Sequence, residues 1–153
     1  MNTEIDVQFA FTGNNLPTIE HFQHWIDTAL SPYDKHFSLC IRIVDNKESH
    51  DLNNQYRGKD APTNVLSFPF DVPEHARETV ELLGDLVVCA PVVEQEAMAQ
   101  NKQLLDHWAH MIVHGTLHLL GFDHINDEEA EEMEQLERDI LAKLDITDPY
   151  LEI

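Results

Sequence analysis

The stretch LLDHWAHMIVHGTLHLLG, residues 104–121, constrains the fold more than any other part of the chain. At about 100° per residue its four histidines, His107, His110, His114 and His118, fall on one narrow stripe. Trp108, Met111, Ile112 and Leu119 lie to one side of the stripe, and Ala109, Val113, Leu117 and Leu120 to the other. A helix that is apolar nearly all round has to be enclosed by other elements. The spacing therefore predicts a helix over Leu104–Leu120 at the centre of the molecule. An unpaired imidazole in such a place costs about 1–3 kcal/mol, so these histidines need partners.

The rest of the chain supplies elements to enclose it. Glu4–Phe11, Phe37–Val44, Asn64–Phe70 and Leu82–Ala90 read as strands, with Pro69 placing the third at an edge or ending it early. Ile19, Phe22, Trp25, Ile26 and Ala29 follow Pro17 at helical spacing. A short polar helix is expected to end near Gly58. Pro91 opens a helix through about Lys102, and a last helix spans Asp127–Leu144, its many acids read as a solvated face. Residues 71–79, DVPEHARET, read as a loop. The length of 153 residues suits one core. The expectation is a single α+β (α/β-like) domain over 1–153. It should have a roughly four-stranded mixed sheet packed against several helices, and a central buried helix carrying the HGxxH histidines.

Composition narrows the function. No apolar run approaches the roughly 20 residues that span a bilayer, and MNTEIDVQFAFTG lacks the basic start of a signal peptide. Cys40 and Cys89, each inside a strand-like run, read as reduced core thiols, so a cytoplasmic protein without a membrane role is expected. The net charge of −20 excludes a generic electrostatic grip on nucleic acid. The charge is uneven, however. Lys35, Arg42, Lys47, Arg57 and Lys59, five of nine basic residues, fall in one third of the chain, while eleven acids follow Asn126.

The histidine spacing carries the chemistry. His114 and His118 stand at i and i+4, with Cβ atoms about 5–6 Å apart on one face. Both rings can then reach one ion at about 2.0–2.1 Å. Gly121 is placed to end the helix, which lets His124 swing back toward the same ion. Three histidines with an open fourth position is the plan of a catalytic zinc. The ligand spacing matches the HExxHxxGxxH pattern of metzincin proteases, but Gly115 stands where their general-base glutamate would be, and no Met-turn follows. Arg57 and Lys59 flank Gly58, and a guanidinium suits bidentate phosphate binding. His107 and His110 read as packing or supporting groups. Asp85 reads as a buried acid in need of a partner, and Asp123 as a turn residue that orients a metal-bound imidazole.

HGTLHLLGFDH resembles the HGxLHLxGYDH signature of the YbeY family, with Phe122 in place of the tyrosine. Tyr56–Pro69, YRGKDAPTNVLSFP, is similar to the family's second motif and LLGDLVVC to its third, in the expected order. The resemblance implies a bacterial cytoplasmic, metal-dependent, single-strand-specific endoribonuclease in 16S rRNA 3′-end maturation and ribosome quality control. Its partners would be single-stranded RNA, rRNA and the ribosome or ribosomal proteins. It implies one Zn2+ on His114, His118 and His124, other divalent transition metals being acceptable to such a site. The catalytic residues would be Arg57 and His114, with Arg57 and Lys59 binding substrate and Asp123 and Asp85 supporting the site. Two alternatives stay open: a metallopeptidase-like hydrolase on the same three histidines, and a non-catalytic, metal-stabilised ribosome-binding module.

Overall fold

A computed structural model describes residues 3–33, 36–70, 81–122 and 126–150. Four strands and five helices follow one another as β1 (Glu4–Phe9), α1 (Ile19–Leu30), β2 (Phe37–Val44), α2 (Asn46–Arg57), β3 (Val65–Pro69), β4 (Glu81–Cys89), α3 (Ala90–Ala99), α4 (Leu104–Leu119) and α5 (Asp127–Lys143). The strands form one mixed sheet in the order β1-β2-β4-β3. β1, β2 and β4 run parallel, and β3 pairs antiparallel with β4. This is the expected α+β architecture. The loop expected over 71–79 lies outside the described residues.

Local chemistry sets the element ends. The Thr18 hydroxyl accepts the His21 N–H, and His21 Nδ1 accepts the Thr18 N–H, so both orphan donors at the start of α1 are satisfied. Asp45 caps α2 through the Glu48 N–H at 2.9 Å, and Gly58 ends that helix in the left-handed region at φ 67°. Gly121, at φ 107°, closes α4: its N–H reaches His118 O and the Phe122 N–H reaches Leu117 O, the paired bonds of a Schellman end.

The two faces of the sheet are covered unequally. Leu39, Ile41, Ile43, Val65, Leu86 and Val88 meet Phe22, Trp25 and Ile26 of α1, Trp108 and Ile112 of α4, and Met133 and Leu141 of α5 in the main core. Val44, Leu66, Val87 and Cys89 form a smaller cluster on the other side with Leu52 of α2. α4 is thus enclosed by α1, α3, α5 and the sheet, as its all-round apolar character requires. Cys89 is a buried free thiol, whereas Cys40 is half-buried on the thinly covered face rather than in the core. Burial pushes both thiols up, which keeps them protonated.

β3 is an edge strand, which accommodates Pro69. Asn64 O accepts the Cys89 N–H at 2.9 Å and the Phe70 N–H donates to Leu83 O at 3.0 Å. In an antiparallel ladder the alternate residues point the other way. Val65, Ser67 and Pro69 therefore turn their backbone groups toward the unpaired edge.

Candidate metal centre and cleft

α4 lies close against β3 and β4 because residue 115 has no side chain. A Cβ there would stand 2.7 Å from Leu86 Cδ2, 3.2 Å from Val65 Cγ2 and 3.3 Å from Ser67 Oγ. The Ser67 hydroxyl donates to Gly115 O at 3.2 Å and ties the helix to the edge strand. One residue before and three after, His114 and His118 project from this docked segment toward the same point, with 3.1 Å between their Nε2 atoms. Two nitrogens on one tetrahedral ion, at about 2.0–2.1 Å each, would stand roughly 3.4 Å apart. The pair therefore fits a shared metal.

The other side of His114 is held from α5. His114 Nδ1 donates to Glu137 Oε1, while Glu137 Oε2 accepts from His110 Nε2 at 3.3 Å and from the Tyr150 hydroxyl. Glu137 is fully enclosed. Burial alone would raise its carboxyl, but the hydrogen bonds from His110, His114 and Tyr150 hold it well below the usual carboxylate range. Burial and the Glu137 carboxylate together push the Tyr150 phenol up, so it stays a donor. The ligand atoms of His110, His114 and Glu137 lie within 4.8 Å of one another, a group that can hold a metal ion.

A second carboxylate serves the stripe further back. His107 Nε2 lies 3.0 Å from Glu96 Oε1, and Asn64 Nδ2 donates to the same carboxylate at 3.1 and 3.2 Å. Burial pushes the His107 imidazole down against the opposing pull of Glu96. His107 and His110 are thus paired supporting groups. Sequence reasoning had no place for Glu137, which lay in the helix expected to be a solvated acidic face. Its signal was spacing: Met133, Glu137, Ile140, Leu141 and Leu144 follow one helical stripe, which α5 turns inward.

His114 and His118 line a cleft of about 830 Å³. Its walls include the whole of β3 from Val65 to Pro69, Phe122 after α4, and Tyr56 and Arg57 at the end of α2. Arg57 is therefore brought to the histidines, while exposed Lys59 is not among the lining residues. Asp85 departs from expectation. It is half-buried on the opposite face of the sheet, in a hollow with Asp6, Cys40 and Arg42, because β4 alternates and turns Leu86, not Asp85, toward α4. Burial raises its carboxyl, and it is not among the residues that line the histidine cleft. Arg42 is engaged by Glu48, at 2.5 and 3.0 Å. Asp123 and His124 lie outside the described residues.

The family model for Endoribonuclease YbeY matches residues 9–145. The chain belongs to the YbeY endoribonuclease family. An Endoribonuclease YbeY of Colwellia psychrerythraea (strain 34H / ATCC BAA-681) is 57% identical over 152 residues, 97% of each chain. A Thermotoga maritima protein solved in solution shares the fold, with a TM-score of 0.59 at 23% identity, over 98% of this chain and 99% of that one. Two of the three motifs fall on the cleft: HGTLHLLGF supplies the end of α4, and YRGKDAPTNVLSFP supplies the opposite wall, while no residue of LLGDLVVC lines it.

Proposed function

We propose that the protein is a metal-dependent endoribonuclease that cuts single-stranded RNA, with ribosomal RNA at the 16S 3′ end as its substrate and the ribosome or ribosomal proteins as its partners. The observation that carries this is the convergence of His114 and His118 at 3.1 Å in a cleft that Arg57 also lines, in a chain of an endoribonuclease family. His114, His118 and His124 hold one Zn2+. When bound, the metal supplies a Lewis acid that polarises a phosphoryl oxygen and lowers the pKa of water.

The chain's own residues do the rest. Arg57 presents a planar pair of donors to a phosphate. Tyr56, packed edge-on to Phe68 at 5.2 Å between ring centroids, and Phe122 offer aromatic faces to unstacked bases, which a single strand has and a duplex withholds. His114 Nδ1–H donates to Glu137, so Nε2 keeps its lone pair toward the cleft. Lys59, two residues beyond Arg57, and Asp123, adjacent to His124 in the sequence, assist as phosphate-binding and supporting groups. Among the described residues no helix is long and apolar enough to cross a membrane, and a cytoplasmic place of work follows from the substrate.

The peptidase alternative is not favoured. Gly115 offers no carboxylate, and the contacts of its missing Cβ with Leu86 and Val65 leave no space for one. Nor is a non-catalytic module favoured in an endoribonuclease family. The test is cleavage of a fluorescent single-stranded RNA by zinc-loaded protein. We expect turnover that is lost on chelation and in His118→Ala, with negligible cleavage of casein. Casein cleavage that depends on His118, without RNA cleavage, would reverse the choice of substrate.

A further inference from the structure

We propose that Glu137, braced by Tyr150 and His110, is a positioning residue of the metal centre, and that the C-terminal segment is thereby built into that centre. The proposal rests on the reading of His114 and His118 as ligands. Glu137 is 0% exposed, yet among the described residues its oxygens touch two histidines and a tyrosine and no lysine or arginine. A buried carboxylate has to be held by donors or by a countercharge. On the far side of the His114 ring from Glu137, Nε2 faces His118 Nε2 at 3.1 Å in the cleft. The anion at Nδ1 fixes the ring's tautomer and plane and makes Nε2 a better donor to the metal.

The brace reaches α5 and the segment beyond it. Tyr150 contacts Glu137 through its hydroxyl, and Arg138 lies over its ring at 5.4 Å. Arg138 in turn binds Asp148 at 3.1 Å, and the Tyr150 N–H donates to Asp148 at 2.8 Å. His110 also stands 3.3 Å from the Tyr150 hydroxyl. His110 Nδ1 is buried without a hydrogen-bond partner among the described residues, so the ring's hydrogen bonding is made through Nε2, which faces the carboxylate. Three donors thus hold one carboxylate in a single orientation, and the carboxylate holds His114.

Zinc affinity of the full chain, measured by competition with a chromophoric chelator, tests this, together with the visible spectrum of the Co2+-substituted protein. Glu137→Gln should bind zinc about 10–100-fold more weakly at unchanged stoichiometry. Its Co2+ spectrum should shift, while the metal-free variant keeps the wild-type far-UV circular dichroism. Tyr150→Phe, which keeps the carboxylate, should lose a few-fold. His118→Ala should lose the site. Wild-type affinity and spectrum in Glu137→Gln, with zinc lost in His118→Ala, overturns the proposal alone. Undiminished zinc binding in His118→Ala overturns the ligand reading beneath it. If Glu137→Gln does not fold, wild-type affinity in Tyr150→Phe is the overturning result.

Discussion

Replacing Gly115 by alanine should destabilise the protein, against the usual sign for a glycine inside a helix. Helix propensity alone favours alanine by about 0.8–1.0 kcal/mol. The new methyl, however, would stand 2.7 Å from Leu86 Cδ2, 3.2 Å from Val65 Cγ2 and 3.3 Å from Ser67 Oγ. Leu86 is wholly enclosed, Val65 is β-branched and stiff at χ1, and Ser67 is bonded to the helix it would have to leave. Overpacking of this kind costs about 1–3 kcal/mol. With no neighbour able to step aside, the upper half of that range applies. The net is a loss of about 1–2 kcal/mol, or roughly 2–8 °C in Tm. Urea unfolding of the metal-free protein measures it, with an unchanged slope certifying that the native state is what moved. A variant more stable than the wild type would mean that α4 and the sheet are not in the tight contact described.

Two further outcomes follow from single side chains. Folding lowers the proton affinity of His107, so the unfolded chain binds more protons as the pH falls through about 6.5, and stability is lost from there down to the folded value; His107→Gln should flatten the fall of urea midpoint with pH, and parallel curves would remove the claim. Arg57→Ala should reduce RNA turnover at full zinc content and lower the slope of log affinity against log salt by about 0.7, the share of one phosphate contact on a single strand; an unchanged slope would place Arg57 off the RNA.

The parts of the fold that were legible in the sequence are those whose causes are local. Gly58 and Gly121 end helices because only the last turn is involved, and the i, i+4 spacing of His114 and His118 brings their rings together without help from elsewhere. The strand order β1-β2-β4-β3 has no such local cause, since β2 passes over β3 to pair with β4. Asp85 was misplaced for the same reason: its apolar neighbours mark a strand, but which of its faces is thickly covered is decided by α1 and α4. Glu137 belongs to a helix whose charge suggests water everywhere; its place on the apolar stripe of Met133 and Ile140 separates it from the exposed Glu131 and Glu132, but its partner His114 is set by the docking of α5 on α4.

Both helices that border the cleft arrive by the same end. α2 finishes there at Arg57 and α4 finishes there beyond His118, and no helix begins among the lining residues. Each such end carries about half a negative charge. The cleft therefore lacks the amide cradle that a helix start gives to phosphate, and its backbone field attracts cations and resists anions. In a chain of net charge −20, that field favours a cation in the cleft and leaves Arg57 as the lining side chain whose charge suits an anion. The electrical polarity of the cleft is thus set by which ends of two helices face it.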